Sequence, residues 1–205
     1  LDVEIKQRDL KYNNIDEVIN GNAQYGVADS ILILYRLKQQ PVVIVSPIFQ
    51  HSPSVFISLK KSNISSVYEL NNKDILFYPN DTDGFSLLAM IKKFDLDVNL
   101  VRERYKDDYM RLINNEVDVM PAYIANEPFL FKEKGYDVNI INPTNYGFDM
   151  YGDMLFTNED EAKNNPIRVE KFKEATLKGW KYALENKEEI TQLINEKYSK
   201  EKSIE

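Results

Sequence analysis

Residues 41–53, PVVIVSPIFQHSP, constrain the fold of this chain most strongly. The apolar run predicts a buried strand, and Pro47 and Pro53 flank the residues that follow it. A second extended run, SVFISLK, follows directly at residues 54–60. We therefore predict that the chain crosses here, in extended form, from one folded unit into another.

Strand-like and helix-like segments alternate on both sides of this crossing. Before it come a strand-like stretch at residues 1–10, a short helix at 14–21, a buried strand at 23–30 and a helix that Ser30 can cap. After it the alternation continues to residue 143 without a convincing sequence repeat. The alternation predicts an α/β fold with a parallel sheet covered by helices.

These patterns predict two lobes. We place the first part of lobe 1 at residues 1–48 and lobe 2 at 49–143, with the hinge crossing at 49–53. Residues 144–198 then supply the return crossing and the C-terminal helices of lobe 1, and residues 199–205 form a tail or linker. A single long helix is predicted at 166–198, with an apolar stripe that should pack on a neighbour: Val169, Phe172, Ala175, Leu177, Trp180, Ala183 and Leu184.

Composition excludes several classes of function. The 205 residues carry a net charge of −7, with a sequence pI near 5.0, which argues against nucleic-acid binding. The absence of Cys excludes thiol nucleophiles and cysteine-ligated metal sites. No apolar run is long enough to span a bilayer. Residues 1–10 do not resemble a signal peptide, so we expect a processed or trimmed piece, or a protein without a targeting segment.

His51 is the only histidine of the chain and invites a catalytic or metal-binding interpretation. A G-x-S-x-G motif and a phosphate-binding glycine loop are both missing, so His51 has no nucleophile to activate. It has no second histidine or cysteine with which to share a metal. We therefore predict no enzyme activity, no metal site and no cofactor, and we interpret His51 as a hinge or cleft-lining polar group.

Two clusters of polar and aromatic residues favour ligand binding. Residues 123–127 follow a predicted strand, where α/β sheets place their ligand contacts, and residues 146–153 are rich in tyrosine and aspartate. Such side chains suit a ring with polar edges, because tyrosine stacks and carboxylates accept N–H hydrogen bonds. In the alternative, the tyrosines pack as core and the acids cap helices.

Two further features have alternative interpretations. The loop at residues 81–86 opens a helix, whose backbone N–H groups could bind an anion or polar group. An ordinary helix cap is the preferred interpretation, because Asp81 and Asp83 already supply negative charge. Trp180 and Tyr182 are explained most simply by core and interlobe packing.

Three long stretches closely resemble the thiamine-pyrimidine-type (NMT/THI-like) periplasmic binding domains, which are relatives of alkanesulfonate and taurine binding proteins. These are residues 24–53, 117–160 and 172–190, and they hold FQHSP, NEP and YGFDMYGDMLFT in the family's order. The resemblance runs from residue 1 to about 198. It implies a two-lobed periplasmic binding protein fold of type II that closes on a small ligand.

The chain departs from the family's pattern in two respects. Members normally begin with a further strand and helix, so the first lobe here lacks its usual opening unit, and an open sheet edge could pair with a neighbour in a homodimer. The family's fungal pyrimidine synthases use a cysteine-rich motif, and a chain without Cys is not expected to share that activity.

Carrying the family's motifs onto this sequence gives the predicted ligand-binding residues. From the first lobe and hinge they are Ser30, Gln50, His51 and Ser52; from the second lobe Tyr123, Asn126 and Glu127; and from the return crossing Tyr146, Asp149, Tyr151 and Asp153. Glu127 is expected to pair with a protonated or amino-bearing ring, although Pro128 beside it is equally compatible with a helix cap.

Within the family, the chain looks most like extracytoplasmic sensor domains of bacterial histidine kinases and diguanylate cyclases. The resemblance thus implies a non-enzymatic sensor for a pyrimidine-like compound or small amide. It would lie on the outer face of the inner membrane, attached through a following transmembrane segment, and would signal by lobe closure. The alternative is the substrate-binding subunit of an ABC uptake transporter for a thiamine-precursor-like or sulfonate-like solute.

Overall fold

The computed structural model describes residues 2–6, 12–78, 84–102 and 108–198. Its strands are β1 (Tyr25–Ala28), β2 (Val42–Pro47), β3 (Ser54–Leu59), β4 (Asp74–Leu76), β5 (Asn99–Val101), β6 (Met120–Tyr123), β7 (Val138–Ile141) and β8 (Met154–Asn158). Its helices are α1 (Asn14–Ile19), α2 (Ile31–Leu37), α3 (Phe85–Lys93), α4 (Asp108–Ile113), α5 (Glu127–Glu133), α6 (Glu159–Asn164), α7 (Pro166–Glu185) and α8 (Lys187–Lys197). Short 3-10 turns follow β3 and β7, and another precedes β4.

The first lobe is built on a three-stranded sheet in the order β1-β8-β2. Strand β8 comes from the end of the chain and lies between the two early strands, antiparallel to both. The prediction of a parallel sheet is therefore wrong for these neighbours, since local alternation does not show which distant strand inserts between them. Helices α1 and α2 cover the sheet through a compact apolar cluster that includes Ile15, Leu32 and Phe156.

The second lobe holds two sheets and the larger apolar core. Strand β3 is central and antiparallel to β6 and β7, while β4 and β5 pair in parallel. All six residues of β3 are buried, because apolar clusters cover it on both faces. The first of these clusters receives helix α3 through Leu87, Met90 and Ile91.

The C-terminal helices differ from their prediction. The expected single helix is broken at Asn186, whose backbone leaves helical geometry and separates α7 from α8. In the described structure neither helix contains a buried residue. The apolar stripe of α7 is therefore largely open to solvent, contrary to the packing that its periodicity predicts.

An aromatic stack and a charged network are among the contacts that attach α7 to the first lobe. The ring of Phe172 stacks on Tyr25 with ring centroids 4.0 Å apart, and Arg168 Nε donates to Glu161 Oε1 over 2.6 Å. Hydrogen bonding from Arg168 lowers the pKa of the Glu161 carboxyl. Burial, followed by the hydrogen bond to Glu161, raises the pKa of Tyr25 to about 12. The attachment thus combines aromatic and charged contacts.

Other expectations of chain organisation have mixed outcomes. Residues 2–6 form neither strand nor helix, and the rest of the strand predicted at 1–10 lies outside the described residues. The loop at 81–86 is described only from Gly84. Within the described ranges no helix is both long and apolar enough to cross a membrane. The lobe boundaries remain a prediction.

Candidate functional site

Two extended segments run side by side where the lobes join, at residues 48–53 and 149–153. Ile48 N donates to Asp153 O over 2.8 Å, and Gly152 N donates to Phe49 O over 2.9 Å. One step further along, Ser52 N donates to Met150 O over 2.7 Å. These bonds make the outward and return crossings a paired hinge rather than two independent linkers.

A side-chain bridge closes the same hinge. His51 Nδ1 lies 2.7 Å from Asp149 Oδ1, and both side chains are largely exposed, at 73% and 49%. The bridge joins one residue from each crossing, so it should resist separation of the two segments. The structure therefore gives His51 a partner on the return crossing, and its role in ligand binding stays a prediction.

The hinge is also tightly packed at Gly152. A Cβ atom placed there would lie 2.9 Å from Phe49 Cβ and 3.0 Å from Pro53 Cδ, closer than nonbonded carbon atoms pack. The ring of Phe49 in turn meets the edge of Trp180 on α7, with centroids 6.1 Å apart. The outward crossing thus touches both the return crossing and the C-terminal helix.

Asp153 has the most distinctive environment of the predicted site residues. Its carboxylate has no hydrogen-bond partner among the described residues, and burial raises its pKa above the ordinary aspartate value. A partly buried carboxylate without a partner carries a free-energy cost that a hydrogen-bond donor would relieve. Asp153 is therefore prepared to accept a hydrogen bond from a bound molecule.

Ser30 and Tyr151 come together at the edge of the first lobe. Ser30 is 3% exposed, and its hydroxyl donates to the backbone oxygen of Tyr151 over 2.5 Å. The predicted capping role of Ser30 is wrong, because its side chain makes no bond to the start of α2; Asp29 Oδ1 accepts from Ile31 N instead. Ser30 therefore anchors the backbone of the return crossing. Tyr151 itself is 51% exposed.

The second-lobe group lies beside the outward crossing. Ile124 N donates to Pro53 O over 2.9 Å, which places the end of β6 next to the hinge. Glu127 Oε2 accepts from Tyr123 N over 2.7 Å, and Glu127 Oε1 accepts from Asn126 Nδ2 over 3.0 Å. The carboxylate thus ties together the loop that precedes α5, and these two bonds go to residues before the helix rather than to its N–H groups.

Three other predicted ligand-binding residues have different surroundings. Tyr146 packs edge-on against Tyr68 and Phe94 in the second lobe, and its hydroxyl accepts from a backbone N–H in that lobe, so it has a packing role there. Ser52 Oγ accepts from Ser54 N over 3.3 Å and stabilises the turn out of the hinge. Gln50 is exposed.

Sequence reasoning missed Phe85. It is the first residue of α3 in the second lobe, yet it packs against the apolar cluster of the first lobe. A helical apolar pattern predicts that such a residue is buried, but it does not indicate which lobe buries it.

A separate pocket of about 270 Å³ lies in the first lobe, around Asn158 and Gln24. Asn158 ends β8, whereas the hinge adjoins Met154 at the start of that strand. The walls of the pocket include Glu161 and Arg168, whose side chains are already hydrogen-bonded to each other. None of the predicted ligand-binding residues lines this pocket. Among the described residues, no group of His, Asp and Glu side chains could hold a metal ion.

Two α/β lobes joined by paired crossings define the class of periplasmic solute-binding proteins. The structure superposes on the aliphatic sulphonate binding protein SsuA of Escherichia coli with a TM-score of 0.72 at 13% identity, covering 89% of this chain and 63% of that one. It also matches the SsuA of Xanthomonas axonopodis pv. citri bound to MOPS, with a TM-score of 0.66 at 16% identity, covering 89% and 64%. At these identities the likeness shows the fold alone.

The chain belongs to the NMT1/THI5-like family, which matches residues 1–190. It is 30% identical over 167 residues to the formylaminopyrimidine-binding protein of Halalkalibacterium halodurans, covering 80% of this chain and 51% of that protein. It is 26% identical over 166 residues to the riboflavin-binding protein RibY of Chloroflexus aurantiacus, covering 79% and 47%. The chain thus spans about half the length of the curated relatives it matches.

Proposed function

We propose that this chain is the solute-binding part of a bacterial import system, acts outside the cytoplasm, and binds a small heteroaromatic compound that carries N–H donors. The proposal is supported by the two curated relatives, which are named as binders of a formylaminopyrimidine and of riboflavin. Both of those ligands are nitrogen heterocycles. The protein is not proposed to be an enzyme, because the hinge offers carboxylates and hydroxyls without a nucleophile–base pair.

The Asp153 carboxylate is the observation that carries this proposal. It is partly buried beside the hinge and has no hydrogen-bond partner within the described ranges. Charge-assisted hydrogen bonds from ring or amino N–H groups to such a carboxylate are among the stronger polar interactions in proteins. An N–H donor from the ligand would therefore relieve the cost of burying Asp153.

The same crossings are poorly suited to an anionic solute. Residues 47–53 and 149–153 contain no Lys or Arg, whereas Asp149 and Asp153 both lie in the return crossing. A sulfonate in this position would meet like charge, which disfavours binding. The sulfonate-binding neighbours thus share the fold with this chain, and we propose that their ligand class is not shared.

A sensor domain of a membrane signalling protein is the second proposal. It is favoured by helices α7 and α8, which contain no buried residue in the described structure, and by the contact of Trp180 with Phe49 at the hinge. A helix held this loosely and touching the hinge could transmit lobe closure to a following domain. The curated relatives favour the import role.

Calorimetric titration of formylaminopyrimidine, riboflavin and MOPS into the 205-residue chain tests the ligand class. We expect binding of a heterocycle and none of MOPS. Asp153→Asn should weaken heterocycle binding about 10- to 100-fold, because it replaces a charge-assisted hydrogen bond by a neutral one. Binding of MOPS with neither heterocycle bound would contradict the proposal.

The stability of the unliganded Asp153→Asn variant gives a pH-dependent check. Burial raises the pKa of Asp153, so the folded chain holds this proton more tightly than the unfolded chain does. Ionisation of Asp153 therefore costs stability above its raised pKa, and the cost disappears as the pH falls through that value. The variant should melt at a higher temperature than the wild type at neutral pH and lose this advantage in acid. An equal or lower melting temperature at neutral pH would argue that the Asp153 carboxylate already has a favourable partner.

A further inference from the structure

A direct contact joins the lobes outside the two crossings. Helix α3 belongs to the second lobe, where Leu87, Met90 and Ile91 enter its core. Its first residue, Phe85, packs instead against the apolar cluster of the first lobe. One helix thus has its body in one lobe and its first side chain on the other.

The start of α3 is tightly determined. Gly84 precedes the helix in the left-handed conformation, with φ of 73°, and a Cβ atom there would lie 2.8 Å from the Tyr78 ring and 3.0 Å from Phe77. Only glycine adopts this conformation readily and fits so close to two aromatic rings. The backbone that presents Phe85 is therefore held against the rigid aromatic core of the second lobe.

The receiving surface lies at the hinge side of the first lobe. Its cluster includes Ala28 at the end of β1 and Ile31 at the start of α2. Ser30 lies between them and anchors Tyr151 of the return crossing. The cluster that receives Phe85 therefore extends to the end of the first lobe that adjoins the candidate site.

We propose that Phe85 is a positioning residue for solute binding, which holds the second lobe closed against the apolar cluster of the first lobe. The inference rests on the proposed function, since it concerns the closed state of the same site. A solute that binds between the lobes has an apparent affinity proportional to the closed fraction. Phe85 raises that fraction, because opening would expose part of its ring to water.

A ligand-free distance measurement tests the closed state directly. The chain has no native Cys, so Lys38→Cys in the first lobe and Lys61→Cys in the second provide two unique, exposed sites for spin labels. Phe85→Ala should move the distance distribution to longer and broader separations, with the closed-to-open ratio falling about tenfold. The milder Phe85→Leu should give an intermediate distribution, and it serves as the test if the alanine variant does not fold.

Phe94→Ala is the matched control. Phe94 caps the other end of α3 and packs on Tyr146 and Phe148 within the second lobe. Its removal should lower the melting temperature while leaving the distance distribution like that of the wild type. A Phe85 variant that is folded and keeps the wild-type distribution would overturn the proposal, as would equal opening in Phe94→Ala.

A measurement of ligand affinity separates the role of Phe85 from the proposed function. If formylaminopyrimidine binds the wild type, Phe85→Ala should weaken its affinity by the factor by which the measured closed fraction falls, up to about tenfold where the wild type is mostly open. An affinity that does not follow the measured closed fraction would overturn the role of Phe85 and leave the solute-binding proposal standing. If none of the tested solutes binds, the proposed ligand class fails, whereas the distance measurement still decides whether Phe85 holds the lobes together.

Discussion

The two lobes differ in how completely they bury their apolar residues. In the second lobe, β3 is buried along its whole length and two apolar clusters pack on it. In the first lobe, the 20 residues of α7 and the 11 of α8 include no buried side chain in the described structure. The second lobe is therefore the more completely packed of the two, and the first lobe carries an exposed helical element that touches the hinge. An amphipathic pattern alone does not reveal this difference.

The largest effect should come from matched leucines on helices of the two lobes. Leu87 on α3 is 0% exposed and Leu184 on α7 is 63% exposed. Leu87→Ala should reduce the free energy of unfolding by about 2–5 kcal/mol, because it leaves a cavity in the core. Leu184→Ala should change it by less than about 0.5 kcal/mol.

Chemical denaturation of both leucine variants checks this contrast. Comparable losses in the two variants would mean that α7 is packed against a partner under the conditions of the experiment, for example in an oligomer. A sedimentation measurement at the same concentration would then identify that oligomer.

A second, smaller effect is expected at the hinge. Gly152→Ala places a methyl group 2.9 Å from Phe49 Cβ, and such overpacking costs about 1–3 kcal/mol. Gly179→Ala on α7 is the control, because a Cβ atom there meets nothing within 4 Å. It should stabilise the chain by about 0.5–1 kcal/mol, since alanine favours the helix. Thermal melts measure both, and a tolerated Gly152→Ala would show that the paired crossings are less tightly packed than described.

The smallest change in global stability should follow loss of the hinge bridge. His51 and Asp149 are exposed, and exposed pairs contribute at most about 1 kcal/mol. His51→Ala should therefore unfold almost like the wild type, while the amide of Ser52, which bonds across the hinge, exchanges its hydrogen severalfold faster. Gln50→Ala is the control and should leave both quantities unchanged. Unaltered exchange at Ser52 would show that the backbone bonds alone hold the crossings together.

Much of the fold was predictable from local patterns. The strands and helices between residues 14 and 141 follow from apolar periodicity, and the two-lobed class follows from family resemblance. Strand β8 and helix α6 were not predicted, because residues 142–160 look turn-rich in the sequence. The sheet order was not predictable, because β8 pairs with β1 and β2 across more than a hundred residues. The break at Asn186 was also missed.

The candidate site stays a prediction. The family's motifs selected its residues. At the two crossings the structure places His51, Ser52, Asp149, Tyr151 and Asp153. Tyr146 carries the same chemistry as its neighbours, but it packs among aromatic rings of the second lobe. Phe85 was not predicted, because an apolar residue at a helix start has no feature that distinguishes a core contact from an interlobe contact.

The sequence by itself determined the strands and helices between residues 14 and 141, the absence of thiol and histidine-cluster chemistry, and the acidic character of the return crossing. Residue types and their spacing dictate these properties whatever the chain does elsewhere. Only the tertiary structure decided that His51 meets Asp149, that Asp153 keeps a carboxylate without a described partner, and that Phe85 crosses between the lobes. Each of these depends on segments distant in sequence, whose proximity is set by the packing of whole sheets and helices.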